Sequence, residues 1–267
     1  MLKRLSVLTS LLFGITTTGF LALTPSRIDA ADLRAIKERG RLIVAVKDNL
    51  RPLGFRDANG QLQGFEIDLA RRLAQELIGR EDAVELRPVL NQERFGAVVN
   101  GEVDLAIAKI TLTPSRLRIL NFSQSYYRDG AGIATRDPSI KTLENLAGKP
   151  IAVLNHSSTV EAVRRKLPSA VLISVPSYEA AKAAMDNGQA IAVAADVSIL
   201  TGWVQEFPQY RLLTPLLSSQ ELTVALPKGQ QYEELRQEVD QILHRLYVSG
   251  WLEQRANYWG LPRNLSF

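Results

Sequence analysis

The chain has 267 residues, 46% of them hydrophobic, with no cysteine and a formal net charge of +4. This length allows one large domain or two of ordinary size, and the composition excludes a disordered chain, a collagen-like repeat, a disulfide-stapled miniprotein and any thiol-dependent site. Basic residues are interleaved with acidic ones and lack an aromatic platform, which favours a mixed solvated surface over a nucleic-acid-binding face.

Residues 1–30 have the pattern of a secretory signal. Lys3 and Arg4 give a positive start, residues 5–23 are uncharged and mostly apolar, and Ala30 is a small residue suited to cleavage before residue 31. The alternative is an uncleaved anchor helix, since this uncharged stretch approaches the ~20 residues of a membrane span. A lipid anchor on the mature N-terminus would need a cysteine. We therefore expect a mature protein that is free in a bacterial periplasm.

The remaining sequence alternates strand-like runs with helical patterns. Residues 65–78 predict a helix, because Leu69, Leu73 and Leu77 recur every fourth residue and Gly79 follows. The strand-like runs are 42–46, 84–89, 104–108, 151–154, 171–175, 190–195 and 222–226. The other helical patterns are 92–100, 160–167, 179–187, 197–206 and 232–250. This alternation predicts an α/β fold whose sheets are parallel and covered by helices.

Two segments have the composition of crossings between subdomains, 126–132 and 216–221. They divide the mature chain into an outer lobe made of both ends and an inserted middle lobe. We expect lobe 1 to comprise 31–126 and 225–267, lobe 2 to comprise 131–219, and the hinge segments to be 127–130 and 220–224.

Motifs of catalysis are missing. The sequence has no G-x-G-x-x-G, G-x-x-x-x-G-K-[ST], G-x-S-x-G or H-E-x-x-H. His244 lies in a helical pattern that favours a structural or solvated role. His156 neighbours Ser157 and Ser158, but sequence neighbours rarely reach the geometry of a Ser–His pair. The carboxylates form no calcium loop, so we expect neither an enzyme nor a metal protein.

Polar residues follow the predicted strands, where ligands bind in open α/β sheets. Thr113 and Pro114 suit the N-cap and first position of a helix, so a helix is predicted to begin there. The Thr111 hydroxyl and the Arg116 guanidinium could then converge on an anion. Asp196 ends another strand with a carboxylate suited to an ammonium group. The alternatives are that Thr113 and Asp196 only cap helices and that Arg116 only forms a surface ion pair.

The segment 64–77, GFEIDLARRLAQEL, resembles the signature of the bacterial extracellular solute-binding proteins of family 3, the polar-amino-acid receptors of ABC importers. The likeness continues over nearly the whole mature chain. It includes 36–40, Arg116, 121–123, 126–127 and 227–229, and it ends at Gly250 and Trp259. It implies a type II periplasmic binding protein fold, in which two lobes joined by two linker strands close on an amino acid by hinge bending. It also implies that the signature helix is structural, that no cofactor is used, and that the partners are a membrane permease and an ATPase. We expect a monomer.

The resemblance also assigns roles to residues of this sequence. Arg116 resembles the arginine that binds the ligand α-carboxylate, and Thr111 resembles its hydroxyl partner. Ser157 and Ser158 resemble the second-lobe group that reaches the same carboxylate, and Asp196 resembles the acid that receives the α-ammonium.

Three positions depart from the family pattern or bear on specificity. Lys109 stands where many relatives have a small residue, often Gly, whose carbonyl meets the ammonium. Lys47 stands where receptors of lysine or arginine tend to have a carboxylate, and its charge would repel a cationic side chain. Lys47, Arg51 and Lys109 together could neutralise an acidic side chain. The hypothesis is a glutamate or aspartate ligand, with glutamine or another polar neutral amino acid as second choice.

Two other functions use the same scaffold. One is a periplasmic enzyme resembling cyclohexadienyl dehydratase, in which a cleft carboxylate acts as general acid. The other is the sensor domain of a membrane receptor, which would need a second hydrophobic span or a signalling domain.

Overall fold

The computed structural model describes residues 31–155 and 157–262, so the predicted signal, His156 and residues 263–267 lie outside the described residues. The helices are α1 (Leu33–Arg39), α2 (Phe65–Ile78), α3 (Arg94–Val99), α4 (Ser158–Lys166), α5 (Tyr178–Asp186), α6 (Val197–Glu206), α7 (Glu233–Val248) and α8 (Trp251–Tyr258). The strands are β1 (Leu42–Val46), β2 (Asn49–Leu50), β3 (Gly54–Arg56), β4 (Leu62–Gln63), β5 (Val84–Pro88), β6 (Leu105–Ile107), β7 (Leu120–Asp129), β8 (Ala131–Thr135), β9 (Pro150–Leu154), β10 (Val171–Val175), β11 (Ala192–Asp196), β12 (Arg211–Leu213) and β13 (Gln220–Pro227).

Two five-stranded sheets form the centres of two lobes. The sheet of lobe 1 has the order β5-β1-β6-β13-β7, and the sheet of lobe 2 has the order β10-β9-β11-β8-β12. A small third sheet, β2-β3-β4, belongs to lobe 1. The α/β fold with two lobes is therefore confirmed.

The prediction that the sheets are parallel was wrong, because each sheet contains one reversed strand. In lobe 1, β13 runs antiparallel to β6 and β7. In lobe 2, β8 runs antiparallel to β11 and β12. These are the strands that directly follow a crossing between the lobes, so each enters its sheet from the opposite direction to the βα units.

Both faces of each sheet are covered by apolar side chains. Leu42, Val44 and Val46 of β1 pack on one side with residues of α2, α7 and α8, while Ile43 and Ala45 pack on the other side with α3. The sheet of lobe 2 is covered by α4 on one face and by α5 and α6 on the other. The continuous apolar runs of the sequence are thus strands buried on both faces.

The signature helix α2 has the bounds that its periodicity predicts. It begins after Gly64, whose φ is 131° and whose Cβ, were it present, would lie 2.2 Å from the Leu53 carbonyl oxygen. Only glycine fits this approach and this φ. The helix ends at Gly79, which has a left-handed φ of 91°.

The prediction of a helix beginning at Pro114 was wrong. The structure has a single 3-10 turn there, Arg116–Arg118. Thr113 still accepts a hydrogen bond from the Arg116 backbone N–H through Oγ1 at 3.3 Å. Since β7 starts at Leu120, the chain has no length for a longer helix.

The two connections between the lobes lie against each other. A Cβ on Gly130 would meet the Ser218 carbonyl oxygen at 2.0 Å, so the outgoing and returning chains touch there. The expected hinge segments 127–130 and 220–224 fall mainly at the end of β7 and the start of β13, where Asp129 pairs with Gln220. No helix within the described ranges combines the length and apolarity needed to cross a bilayer.

Candidate ligand-binding cleft

The strand ends of the two lobes face each other across a cleft. In lobe 1, β1 and β6 are parallel, so Lys47 and Lys109 follow strands that end at one edge. In lobe 2, β9 and β11 are parallel, which places Ser157 and Asp196 at a common edge. Lys109 Nζ donates to Asp196 Oδ2 in an ion pair that joins the lobes. The structure thus brings two of the expected site residues into direct contact.

Thr111 holds the Arg116 guanidinium in place through two hydrogen bonds. Its Nη1 donates to the Thr111 carbonyl at 2.6 Å and to Thr111 Oγ1 at 2.7 Å. The guanidinium lies 4.7 Å from the Phe95 ring centroid, and burial lowers the pKa of Arg116. Arg116 makes no ion pair with a carboxylate of the described chain, so the surface-ion-pair alternative does not hold. Its Nε and Nη2 have no hydrogen-bond partner within the described residues.

Arg94 is a second guanidinium at this site, and the sequence reasoning missed it. It opens α3 and donates through Nη1 to the carbonyls of Ala108 at 2.7 Å and Lys109 at 2.8 Å. It lies 5.0 Å from the same Phe95 ring. Burial and the charge of Arg116 lower the pKa of Arg94. The signal in the sequence was its position just after β5, which is parallel to β1 and ends at the edge where ligands bind.

Glu66 connects the signature helix to the cleft, and the sequence reasoning missed this contact too. Its side chain is buried and its Oε1 accepts from the Lys109 backbone N–H at 2.8 Å and from the Tyr126 hydroxyl. Burial raises the pKa of Glu66. Lys109 itself has a left-handed φ of 51°. The helix therefore positions the backbone of a site residue.

Asp196 occupies the N-cap position of α6, but its side chain makes no capping hydrogen bond. Asp129 accepts instead from Ser198, the second residue of the helix, at 3.1 Å from the backbone N–H and 2.7 Å from Oγ. Burial raises the pKa of Asp129, while the Lys109 charge acts in the opposite direction. The cap alternative for Asp196 does not hold, because its carboxylate is directed to Lys109.

Lys47 and Arg51 have partners of their own. Lys47 is 4% exposed and its Nζ donates to the Val89 carbonyl at 2.8 Å, with its pKa lowered by burial. The Arg51 guanidinium lies 3.7 Å from the Phe55 ring centroid. The described contacts do not bring either residue to Arg116, and their roles in ligand binding stay predictions.

Ser157 and Ser158 begin α4 at the lobe 2 edge. Ser157 is the N-cap, with Oγ accepting from the Thr159 backbone N–H at 3.0 Å, and Ser158 is exposed. Backbone N–H groups at a helix start attract anions. The expected contact of these serines with a ligand carboxylate stays a prediction.

The lobes also touch along α6. A Cβ on Gly202 would lie 2.5 Å from the Arg51 carbonyl oxygen. Three residues further on, Gln205 Nε2 donates to the Trp259 carbonyl of lobe 1 at 2.7 Å. The cleft is thus bordered by direct contacts between the lobes.

Two lobes, two adjacent crossings and polar groups from both lobes across one cleft define a two-lobed solute-binding protein. The chain belongs to the bacterial extracellular solute-binding proteins, family 3, whose sequence pattern matches residues 42–262.

Known relatives agree with this assignment. The chain is 28% identical to the ABC transporter glutamine-binding protein GlnH of Bacillus subtilis over 230 residues, 85% of this chain and 84% of that protein. It is 31% identical to the glutamine-binding protein of Geobacillus stearothermophilus over 191 residues, 70% of this chain and 73% of that protein. Among solved structures, it is similar to an ancestral cationic amino acid solute-binding protein, AncCDT-1, with a TM-score of 0.73 and 28% identity, over 85% of this chain and 98% of that one.

Proposed function

We propose that this chain is the substrate-binding component of an ABC-type amino-acid importer and that it binds an acidic amino acid between its lobes. The observation that carries the proposal is the pair of guanidinium groups at Arg94 and Arg116. Both make cation–π contacts with the Phe95 ring. Neither forms an ion pair with a carboxylate in the described part of the chain. Two like charges held together in a partly buried cleft favour an anionic ligand.

A dicarboxylic amino acid matches this arrangement. Its α-carboxylate would take the free edge of Arg116, which Thr111 already orients through Nη1. Its second carboxylate would lie beside Arg94, whose Nε is buried without a partner among the described residues. Each charge-assisted hydrogen bond contributes about 1.5–3 kcal/mol. Glutamine is the second choice, which the names of the two glutamine-binding relatives support.

The proposal includes the setting in which the protein works. A family described as extracellular and a signal-like sequence at residues 1–30 support export to the periplasm. The transport partners would be a membrane permease and an ATPase, and the protein would act as a monomer without a cofactor. The segments 127–130 and 220–224 would bend when the lobes open and close.

Calorimetric titration of purified mature protein with single amino acids tests the ligand. We expect saturable 1:1 binding of L-glutamate or L-aspartate and none of L-lysine or L-arginine. Binding of lysine or arginine without glutamate would refute the acidic ligand. A turnover assay with prephenate and arogenate tests the enzyme alternative, and product formation there would refute a purely binding role.

A further inference from the structure

The two groups that would receive a ligand ammonium are both occupied by cations of the protein itself. Asp196 Oδ2 accepts from Lys109 Nζ, and the Lys109 carbonyl accepts from Arg94 Nη1 at 2.8 Å. The resemblance assigns the α-ammonium to these same two acceptors. A ligand amino group that binds in that way must either displace these cations or share both acceptors with them.

We propose that the Lys109 ammonium takes the place of the ligand's amino group, so that the cleft recognises small dicarboxylates with or without an α-amino group. This inference rests on the proposed function only in taking this cleft as the ligand site. A dicarboxylate without an amino group leaves the Lys109–Asp196 pair intact and uses Arg116 and Arg94. An amino acid instead exchanges one ammonium for another on Asp196, so its amino group gains little affinity.

The backbone at Lys109 supports a dedicated role for this side chain. A non-glycine residue is less stable than glycine at a φ of 51°, because its Cβ approaches the backbone too closely. The conformation is imposed from both sides, since Glu66 accepts from the Lys109 N–H at 2.8 Å and Arg94 donates to its carbonyl. Lysine therefore stands where glycine would be less strained, and what it adds is an ammonium on Asp196.

The ion pair also satisfies Asp196 in the absence of ligand. Both side chains are 21% exposed, so an unpaired carboxylate there would lose much of its hydration. The negative charge of Asp129 interacts with both Lys109 and Asp196. Removal of Lys109 thus leaves Asp196 without its cation, in a site that a ligand ammonium can fill.

The test compares L-glutamate with glutarate, which differs only by lacking the amino group, in wild type and Lys109→Gly. In wild type we expect dissociation constants within about tenfold of each other. In Lys109→Gly the ratio of the glutarate constant to the glutamate constant should rise at least 10-fold and up to about 150-fold, the value of one charge-assisted hydrogen bond. Glycine suits the left-handed φ, so this variant should fold.

Two further variants serve as second test and control. Lys109→Met keeps the aliphatic chain but removes the ammonium, and it should shift the ratio in the same direction. Lys182→Met removes a lysine that pairs with Asp186 within α5 at 2.6 Å, away from the cleft, and it should leave the ratio unchanged.

The outcomes separate this inference from the proposed function. Wild type that binds glutamate more than about tenfold tighter than glutarate overturns the inference and leaves the function in place. Wild type that binds glutarate but no amino acid overturns the amino-acid function and the tolerance of an α-amino group. Binding of neither compound overturns the inference and the acidic ligand, and titration with L-glutamine then tests the amino-acid function.

Discussion

The substitution Arg116→Lys tests the anion site most directly, because it keeps the positive charge and removes the planar fork. In the structure Nη1 of Arg116 donates to Thr111 at 2.6 and 2.7 Å. In the proposed binding mode Nε and Nη2 donate to the ligand carboxylate. A lysine ammonium is a point charge that cannot hold Thr111 and present two parallel donors at once. The loss of one charge-assisted hydrogen bond, about 1.5–3 kcal/mol, corresponds to a dissociation constant about 10–150-fold higher.

Calorimetric titration with L-glutamate measures this change, and Arg118→Lys is the matched control. Arg118 lies in the same 3-10 turn and is exposed, so its replacement should leave the dissociation constant unchanged. Circular dichroism of both variants verifies the fold. A folded Arg116→Lys protein that binds glutamate within twofold of wild type would refute the assignment of Arg116 as the carboxylate clamp.

Three further predictions concern closure and stability. Gly202→Ala should weaken ligand binding at least tenfold without lowering the melting temperature, because the added Cβ meets the Arg51 backbone of the other lobe. In the control Gly96→Ala the added Cβ has nothing within 4 Å, and equal affinities in the two variants would contradict a contact between the lobes at Gly202. Asp104→Ala removes a buried carboxylate that pairs with Arg39 and accepts from the Ile43 N–H at 2.8 Å. Chemical denaturation should show a free energy of unfolding lower by about 3 kcal/mol, and a decrease under 1 kcal/mol would count against this role of Asp104. Burial raises the pKa of Asp129 from 3.8, so the stability that its protonated carboxyl contributes is lost as the pH rises from 3.8 through the folded pKa. The unfolding free energy of wild type minus that of Asp129→Asn should therefore fall over this range. A difference that does not change with pH would speak against the raised pKa.

Local periodicity predicted the elements whose stability is decided by their own sequence. The leucine spacing of α2 and its two flanking glycines set both of its ends, and the apolar run of β1 is buried at every position. The turn at Pro114 could not be read in this way, since its length depends on where β7 begins. The reversed directions of β8 and β13 follow from the path between the lobes, and strand sequences carry little information about direction.

The site was predicted in its residue types but less well in its contacts. Thr111 and Arg116 are five residues apart and meet through local geometry. The Lys109–Asp196 pair spans 87 positions, and it depends on how the lobes meet. Arg94 lies on a helix whose pattern predicts only an apolar face, and the Phe95 ring that both guanidinium groups contact could not be identified from that pattern.

These contacts also bear on what a ligand must do to close the lobes. A ligand shifts an open–closed equilibrium only by its difference in affinity for the two states. Since Lys109 already attracts Asp196 across the cleft, an amino group on the ligand replaces an existing attraction. In the proposed binding mode the added closing force comes from the carboxylates, which can bridge Arg116 of lobe 1 and the helix start at Ser157 of lobe 2. Affinity in this protein should therefore follow the number of carboxylates on the ligand more closely than the presence of its amino group.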